Sequence, residues 1–535
     1  MANPRYAVEG QVFRRSKIRK NPSVFQISRE MAEPKNPSTG KVYLVGAGPG
    51  DPGMLTLRGK ECVQEADVII HDYLVNPRIL SFANAPESIC LGKHGTGRIY
   101  TQDEVNEMIV RFACEGKKVV RLKGGDPAIF ARVHEELEYI RERGIPFEIV
   151  PGITAALAVT GTVGISLTHR DYASAVALIT GQGKNGGPPQ NIDYQALAHF
   201  PGTLVFYMGT TTVSHWSTEL IQAGMDPETP VVATRHCSLP YQESFQCNLG
   251  EISARVNHEN KLRPPVLFVV GKAANEFGRY DWFESRPLFG KTILVTRPRH
   301  QAAELAHPLE ALGAEVLLQP AITIAPARDQ TSIDDTLSEL GRYDWIVFSS
   351  ANGVEYFMSK LLEAHDIRAL SAAKIAAIGP ATARKLAQYH IKADLVPNTF
   401  DADNLAGELR VKAQGSNVLL IRASRGREVL QQELLAGGAQ VKQLVCYEST
   451  DVTCPDESIQ KRMSNGEIDY VTVSSSAIAH STHQLFGDEL SKTQLISISP
   501  ITSQTLEELG YKPAVDAKQY TMDGMIAALL NSISS

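Results

Sequence analysis

The chain has 535 residues, of which 43% are hydrophobic and 21% charged, and its formal net charge is -6. A chain of this length is expected to form two or three domains, and its weak negative charge argues against a broad basic surface for nucleic acid. The seven cysteines are scattered without a CxxC pair, which argues against a disulfide framework or zinc knuckle and favours a reducing, cytoplasmic location.

The N-terminal segment, residues 1–38, carries the basic cluster RRSKIRK at positions 14–20 and shows little hydrophobic periodicity. Such a composition predicts a disordered basic tail. An organellar targeting peptide is the alternative, and Glu9, Glu30 and Glu33 weaken it because such peptides are poor in acidic residues. No apolar run in the chain reaches the roughly 18 residues of a membrane span, so no membrane partner is expected.

From residue 39 to residue 285, short β-rich runs alternate with helical patterns. The runs typical of strands include DVII, KVVRL, VALIT and TLVFYM. The patterns typical of helices include LTLRGKECVQEA and HEELEYIRERG. This alternation predicts an α/β domain. The segment RPLFG at 286–290 places Pro and Gly before a new strand pattern, which predicts a linker there and a second domain over 291–535.

The second half of the chain contains an internal repeat. TILVTRPRHQ, starting at residue 292, and NVLLIRASRG, starting at residue 417, open two segments that align without gaps. The same offset pairs YDWIVFSSANGV at 343–354 with IDYVTVSSSAIA at 468–479. Two similar α/β lobes with a binding cleft between them are therefore expected.

Two glycine loops in the first half follow apparent strands, in KVYLVGAGPGDPG at 41–53 and in VVRLKGGDPAIF at 119–130. Clustered glycines let the main chain approach a ligand, so a nucleotide cofactor is one interpretation. A dinucleotide fingerprint requires a third glycine where this sequence has Asp51, which argues against NAD. The alternative is a pair of tight turns in which an aspartate caps the following helix.

The ordered motifs GAGPGDPGMLTLRG, HDYLVNPRIL, LGKHG, VVRLKGGDP, VPGITAALAV, ISLTHR and TLVFYMGT resemble the tetrapyrrole methylase family. They are most similar to the uroporphyrinogen III C-methyltransferases. The resemblance covers residues 40 to about 284. It implies a fold of two α/β subdomains and an S-adenosylmethionine site, with no metal.

The family's functional positions can be carried onto this sequence one by one. Asp72 matches the general base and Lys93 the general acid, while the alternatives are a strand-end cap for Asp72 and a solvated surface charge for Lys93. The methyl donor is expected at Pro49, Gly124, Gly125, Asp126, Ile129, Thr154, Ala155, Met208 and Cys237.

The sequence departs from the family pattern at three places, one of which is TGQ at 180–182 in place of TGH. ARVHEE at 131–136 replaces the usual GRGGEE, and RHCS at 235–238 replaces a stretch in which a glycine contacts the donor. Cys237 stands at that glycine's position. These changes affect the expected substrate shape and donor affinity and leave the main glycine loops intact.

The C-terminal region is similar to the uroporphyrinogen III synthase family in ILVTRP, WIVFSSANGV, AAIGPAT, LLIRASRGRE, VCYEST, VTVSSSA and YTMDGM. The resemblance implies that the chain crosses between lobes, with lobe one at about 291–322 plus 449–535 and lobe two at about 323–448. The resemblance to the synthase family makes Tyr447 a candidate acid. The alternative is an aromatic side chain that packs between the lobes, beside the hinge that joins them. Arg297 and Arg422 are expected either to bind substrate carboxylates or to lie at exposed corners.

The two resemblances together imply a bifunctional enzyme. The C-terminal half would cyclise hydroxymethylbilane to uroporphyrinogen III, and the N-terminal half would methylate that product at C2 and C7 to precorrin-2, toward siroheme and cobalamin. A homodimer through the methylase half is also implied. The alternatives are a methylase of another acceptor and a C-terminal module that binds tetrapyrrole without catalysis.

Overall fold

The computed structural model of the protein describes residues 39–84, 87–92, 100–259, 262–399, 402–426 and 428–534. The predicted basic tail at 1–38 lies outside these residues. The described chain divides into two compact units. The first comprises the residues up to Gly48 together with Pro52–Gly152, and the second comprises Pro49–Asp51 and the residues from Ile153 onward.

The first unit is built on a five-stranded parallel sheet. Its strands are β1 Val42–Gly46, β2 Val68–His71, β3 Glu87–Cys90, β4 Val119–Lys123 and β5 Phe147–Val150, and its helices are α1 Leu57–Glu65, α2 Pro77–Leu80, α3 Gln102–Cys114 and α4 Val133–Glu142. The spatial order is β3-β2-β4-β1-β5. A dinucleotide-binding sheet has the order 3-2-1-4-5. The sheet of the first unit therefore has a different topology.

Hydrophobic cores cover both faces of this sheet because successive strand residues point to opposite sides. Ile70 of β2 lies in one core with Ile109 of α3, whereas Ile69 lies in the other with Val63 of α1. In a parallel sheet the carboxyl ends of the strands meet at one edge. The loops that leave β1, β2, β4 and β5 therefore emerge together, and this edge carries the predicted site residues of the first unit.

The second unit begins with a mixed five-stranded sheet. Its strands are β6 Ala175–Thr180, β7 Gly202–Tyr207, β8 Pro230–Arg235, β9 Glu243–Asn248 and β10 Val266–Val270, and its helices are α5 Ala155–Val163, α6 Tyr194–Ala198, α7 Val213–Gln222 and α8 Ile252–Ala254. The order is β6-β7-β10-β8-β9, in which only β6 and β7 are parallel. Trp216 of α7 stacks on Phe206 at 4.5 Å and is buried, which anchors that helix on the sheet.

The rest of the second unit forms two further sheets. The first, called lobe one, has the strand order β12-β11-β18-β19-β20, all parallel, and packs helices on both faces. Its elements, numbered in chain order, are β11 Thr292–Val295, β12 Glu315–Leu318, β18 Tyr470–Val473, β19 Gln494–Ser497, β20 Val515–Asp516, α9 Arg299–Ala311, α15 Glu457–Ser464, α16 Ser476–Phe486, α17 Pro500–Glu508 and α18 Met522–Ser534.

The second sheet, called lobe two, has the order β13-β17-β16-β14-β15. Strand β13 is antiparallel to β17, and the other pairs are parallel. Its elements are β13 Ile322–Pro326, β14 Trp345–Phe348, β15 Lys374–Ala377, β16 Asn417–Ala423, β17 Gln440–Asp451, α10 Gln330–Ser338, α11 Ala351–Ala364, α12 Pro380–Gln388, α13 Ala402–Lys412 and α14 Val429–Ala436.

The chain crosses between the lobes along β13 and β17. Ile322 lies opposite Asp451 in this ladder and belongs to a core of lobe one, whereas Ala327 belongs to a core of lobe two. The repeated segments occupy equivalent places, because β11 pairs with β18 in lobe one as β16 pairs with β14 in lobe two. The prediction of a bilobed α/β domain with an internal repeat is confirmed. None of the described helices combines the length and apolar character needed to cross a membrane.

Candidate active sites

Backbone contacts fix the loops at the carboxyl edge of the first unit's sheet. Gly48 and Gly125 each donate an N–H to the other's carbonyl oxygen, at 3.1 and 2.7 Å. A Cβ atom on Gly46 would lie 2.5 Å from the Cα of Gly152, and one on Gly152 would lie 2.2 Å from the carbonyl oxygen of Gly125. Glycine is required at both positions because only a residue without a side chain permits this approach.

The turn after β4 offers main-chain groups and uses its carboxylate internally. Oδ1 of Asp126 accepts the N–H of Ala128 at 2.8 Å, and Oδ2 accepts the N–H of Gly152 at 2.9 Å. Among the described residues, a Cβ placed on Gly124 would meet only the Leu74 side chain, at 3.7 Å, which is an ordinary van der Waals distance. Asp126 therefore holds the turn in shape, and the main chain at Gly124 is not tightly packed by these residues. Ile129 lies half-buried in the same turn.

Asp72 follows β2 directly, and about a third of its side chain is exposed. Its Oδ1 accepts a hydrogen bond from a terminal nitrogen of Arg121 at 2.6 Å. The alternative role of Asp72, a strand-end residue that caps the next turn, is not tested by the N-cap of α2, which is Asn76. The structure thus places Asp72 and the turn at Gly124 at one edge of one sheet. Lys93, the predicted acid, lies outside the described residues.

Sequence reasoning missed the buried partners of Asp72. The carboxylate of Glu136 on α4 accepts from Nε of Arg121 at 3.1 Å and from Nζ of Lys123 at 2.8 and 2.9 Å. Lys123 and Glu136 are almost inaccessible to solvent. The signal that could have found them is VVRLKGG, where two cations two positions apart share one face of an apolar strand. Buried cations require a carboxylate partner.

In the second unit, Thr154 and Ala155 begin α5 and are held by a tyrosine at the end of β7. The hydroxyl of Tyr207 lies 2.7 Å from Oγ1 of Thr154 and accepts the N–H of Ala156 at 3.0 Å. Met208 follows with a φ of 53° and is 45% exposed. A positive φ is uncommon for a residue other than glycine, so the turn presents the Met208 side chain at a conformational cost.

Cys237 lies in a second loop of this unit, after β8. Its sulfur is 3.6 Å from Oγ1 of Thr162 on α5, and burial raises the pKa of the thiol to about 12. The group is therefore a neutral, small and largely buried side chain at physiological pH. The neighbouring Ser238 accepts the N–H of Asp51 at 3.1 Å, which fixes the Pro49–Asp51 turn against the Cys237 loop.

A cleft of about 340 Å³ opens at the carboxyl edge of the lobe-two sheet. Its wall includes Ile501 of α17, so the cleft joins lobe two to lobe one. The polar residues on its wall come from the loop after β14, from β16 and the segment after it, from the start of α14 and from β17: Ser349, Ser350, Arg422, Arg425, Glu428, Gln431 and Tyr447. Hydroxyls and guanidinium groups of this kind suit a ligand that carries carboxylates.

Tyr447 is 6% exposed, and its ring stacks on Tyr356 at 5.6 Å. The hydroxyl lies 2.9 Å from Oγ of Ser350, which is also the N-cap of α11. Burial raises the pKa of Tyr447, although hydrogen bonds from Ser350 and Asn352 oppose this rise. The phenol is therefore protonated at neutral pH, and Tyr447 lies on the wall of the cleft.

The two repeated arginines differ in their surroundings. Arg422 lines the cleft and donates to Oε1 of Gln443 at 2.8 Å. Arg297 is 13% exposed and pairs with Glu304 at 3.0 Å. Neither arginine lies at an exposed corner, so that alternative is wrong for both. Within the part of the chain that the structure describes, no group of three His, Cys, Asp or Glu side chains is arranged to hold a metal ion.

Two family models match the chain, "Tetrapyrrole (Corrin/Porphyrin) Methylases" over residues 41–253 and "Uroporphyrinogen-III synthase HemD" over residues 303–527. The chain is 33% identical over 491 residues to the porphyrin biosynthesis protein HemD of Ruminiclostridium josui, which covers 91% of this chain and 95% of that protein.

It is also 38% identical over 335 residues to the uroporphyrinogen-III C-methyltransferase of Bacillus subtilis (strain 168), covering 62% of this chain and 68% of that protein. Among solved structures, a uroporphyrin-III C-methyl transferase from Thermus thermophilus complexed with S-adenyl homocysteine is 36% identical. It matches with a TM-score of 0.39 and covers 44% of this chain and 100% of that one.

Proposed function

The chain belongs to the tetrapyrrole methylases through its N-terminal half and to the uroporphyrinogen-III synthases through its C-terminal half, and from this premise we propose a bifunctional enzyme of tetrapyrrole biosynthesis. The C-terminal half cyclises hydroxymethylbilane to uroporphyrinogen III with inversion of ring D. The N-terminal half methylates that product at C2 and C7 to precorrin-2. The observation that carries the proposal is that one relative spans both halves, at 91% of the chain.

S-adenosylmethionine is the proposed methyl donor, and when bound it supplies an electrophilic methyl group. The residues present fit such a group. Among the described residues, a Cβ on Gly124 would meet only Leu74, at 3.7 Å, which leaves the main chain there approachable by a ligand, and Met208 offers a soft apolar surface for an adenine. The donor contacts proposed in the first unit are Gly124, Gly125, Asp126 and Ile129, and those proposed in the second are Pro49, Thr154, Ala155, Met208 and Cys237.

Asp72 is the proposed general base of methyl transfer. Methylation of a pyrrole carbon leaves a cationic ring, and a proton must then leave elsewhere on the macrocycle. The partly exposed Asp72 carboxylate is able to accept this proton, since only its Oδ1 is bound by Arg121. Lys93 is proposed as the acid from its place in the motif LGKHG.

Tyr447 is the proposed acid of the synthase reaction. Loss of the hydroxymethyl oxygen requires a proton donor, and the buried phenol in the cleft is protonated at neutral pH. Arg422 lies on the same wall and supplies positive charge for the carboxylates of the linear substrate.

Replacing Tyr447 with Phe is expected to lower the synthase rate by about 10²-fold, because the ring keeps its packing and the proton donor is lost. The rate is measured from cyclisation of hydroxymethylbilane. The matched control is Tyr356→Phe, which alters the stacked neighbour and leaves the rate within a factor of two or so. Because the pKa of Tyr447 lies above its ordinary value near 10, the wild-type rate should show no loss from this group below about pH 10. Equal rates for the two variants contradict the assignment.

Replacing Gly152 with Ala is expected to weaken binding of S-adenosylhomocysteine at least about tenfold, measured by calorimetry. The new Cβ would lie 2.2 Å from the Gly125 carbonyl oxygen, and relief of this overlap displaces the turn after β4. Gly161→Ala is the control, since a Cβ there meets no atom of the other described residues outside its own helix backbone within 4 Å, and Ala favours helix α5. Unchanged affinity in Gly152→Ala would show that the turn does not bind the donor.

The experiment that tests the proposed function gives the purified full chain hydroxymethylbilane and methyl-labelled S-adenosylmethionine. Labelled precorrin-2 is expected. If label enters only when uroporphyrinogen III replaces hydroxymethylbilane, the C-terminal half is a binding module without synthase activity. If no label enters from either substrate, the methylase acts on another acceptor.

Further parts of the proposal concern the setting of the enzyme. We place precorrin-2 on the route toward siroheme and cobalamin, and expect a homodimer formed through the methylase half, a cytoplasmic location and no metal requirement. The proposed domains are 39–285 and 291–535, joined by the linker 286–290. Light scattering tests the dimer, and activity after chelator treatment tests the absence of a metal.

A further inference from the structure

The first unit contains a chain of four charged side chains that runs from its interior to the carboxyl edge of the sheet. Lys123 contacts Glu136, Glu136 contacts Arg121, and Arg121 contacts Asp72. The side chains of Lys123, Glu136 and Arg121 are 2%, 0% and 5% exposed, whereas that of Asp72 is 35% exposed. Asp72 is therefore the one member of the four that solvent or a substrate reaches readily.

Arg121 has a single orientation because each of its three nitrogens has an acceptor. One terminal nitrogen donates to Oδ1 of Asp72 at 2.6 Å, the other donates to the carbonyl oxygen of Leu122 at 3.2 Å, and Nε donates to Glu136 at 3.1 Å. The guanidinium is a rigid planar fork, so fixing three directions fixes its plane. The position of Asp72 Oδ1 follows from that plane.

Glu136 is itself held from several sides. Both of its oxygens accept from Nζ of Lys123, and Oε1 also accepts from the side-chain amide of Gln102 at 3.3 Å. Gln102 in turn donates to Asn106 on the same helix, α3. The arrangement ties β4, α4 and α3 to one carboxylate, so neither Glu136 nor Arg121 is free to rotate.

Charge balance explains why two cations are present. Burial of a carboxylate or a cation without a partner is costly. Glu136 and Lys123 form a neutral buried pair, which leaves the positive charge of Arg121 to be balanced by Asp72 at the edge. Arg121 therefore draws the Asp72 carboxylate to one place while binding only Oδ1. Among the described residues, no hydrogen bond occupies Oδ2 of Asp72.

We propose that Arg121 is a positioning residue for the methylase half, held by Glu136 and Lys123 so that Asp72 presents its Oδ2 to the macrocycle in one orientation. The inference rests on the proposed function, in which Asp72 accepts a proton. General-base catalysis depends on hydrogen-bond distance, and a displacement of about 1 Å costs about 10²-fold in rate. Arg121 contributes that placement and does not touch the donor.

The test measures methyl transfer to uroporphyrinogen III with the full chain in four forms: wild type, Arg121→Met, Asp72→Asn and the double variant. Arg121→Met is expected to lower kcat by about 10²-fold, because the carboxylate is released. The donor KM and the affinity for S-adenosylhomocysteine should stay within about twofold, which also shows that the variant is folded. Arg121→Lys keeps the positive charge but lacks the planar guanidinium group, so its rate should lie between those of Arg121→Met and the wild type.

The decisive comparison is the effect of Arg121→Met in the Asp72→Asn background. If Arg121 acts through Asp72, it should change the rate of Asp72→Asn by less than about twofold. Equal losses in both backgrounds overturn the inference and leave Asp72 as the base. A wild-type rate for Asp72→Asn instead removes the proposed base, so the two failures are distinguishable.

Arg58→Met is the matched control. Arg58 is also an arginine of the first unit that bridges two carboxylates, those of Glu148 and Glu61, but it lies on the surface of α1. Its loss should leave kcat unchanged within about twofold. A loss in Arg58→Met equal to that in Arg121→Met would show a general effect of removing charge and would overturn the inference.

Discussion

Replacing Asp72 with Asn is expected to lower the rate of methyl transfer to uroporphyrinogen III by about 10²–10⁴-fold. The amide oxygen of Asn can still accept the hydrogen bond from Arg121, so the local packing is kept. The amide cannot accept the proton that must leave the macrocycle. Incorporation of labelled methyl groups in a single turnover measures the step directly.

The control for this variant separates the loss of a base from the loss of a charge. Asp103→Asn removes a carboxylate from the exposed first turn of α3 in the same unit. It should leave the rate within about twofold. Calorimetry with S-adenosylhomocysteine should give the same affinity for both variants and for the wild type. A parallel fall in affinity and rate in Asp72→Asn would assign Asp72 to donor binding.

Replacing Glu136 with Gln is expected to lower the stability of the first unit by about 3–5 kcal/mol, because it leaves the buried Lys123 without a carboxylate. Arg121 retains Asp72 as a partner, but Lys123 loses both of its contacts with a charged group. Hydrogen exchange of the β4 amides measures the free energy of opening in the full chain. This readout avoids the overlapping unfolding of several domains.

The Glu136→Gln variant should also respond to pH in a defined direction. Burial, and then the charge of Arg121, already lowers the pKa of Lys123 in the wild type. Without Glu136 that pKa falls further, so the folded state binds fewer protons than the unfolded state at pH values between the lowered pKa and the ordinary 10.5. Stability rises with pH wherever the unfolded state binds more protons. The deficit of the variant should therefore shrink between pH 7 and pH 10.

The neighbouring residue provides the matched control for stability. Glu135 pairs with Arg132 on the surface, where the two side chains are about half exposed. Glu135→Gln should change the free energy of opening by less than about 1 kcal/mol, because exposed ion pairs contribute little. A similar loss of stability in Glu135→Gln and Glu136→Gln would mean that the burial of Glu136 does not determine how much stability its replacement costs.

Local patterns in the sequence predicted most of the fold. Strands β2, β4, β6 and β7 lie at the runs DVII, KVVRL, VALIT and TLVFYM. A short apolar run between turn residues has few alternatives to a buried strand. The repeat that aligns residue 292 with residue 417 corresponds to β11 and β16, which are inner strands of the two sheets. Strand order was not predictable, since the position of β4 between β1 and β2 depends on pairing between residues far apart in the chain.

The candidate sites were predicted in part. The glycine loops and Asp72 were predicted as candidates because the motifs that carry them are continuous in sequence, and the structure brings them to one sheet edge. In one interpretation Asp51 caps the following helix; it directly precedes a short 3-10 helix at Pro52–Met54, whereas α1 has Thr56 as its N-cap. The partners of Asp72 were missed, because Arg121 and Glu136 meet only after β4 and α4 have packed.

The sequence by itself determined the α/β class, the repeat, the glycine turns and the residue types available for chemistry, because these depend on neighbours along the chain. The tertiary structure alone decided which charges are buried and which carboxylate remains accessible. Glu135 and Glu136 are adjacent and chemically identical, yet one is half exposed and the other is fully buried between two cations. The environment of a charge is set by what packs around it, and in this cluster the packing comes from three separate elements.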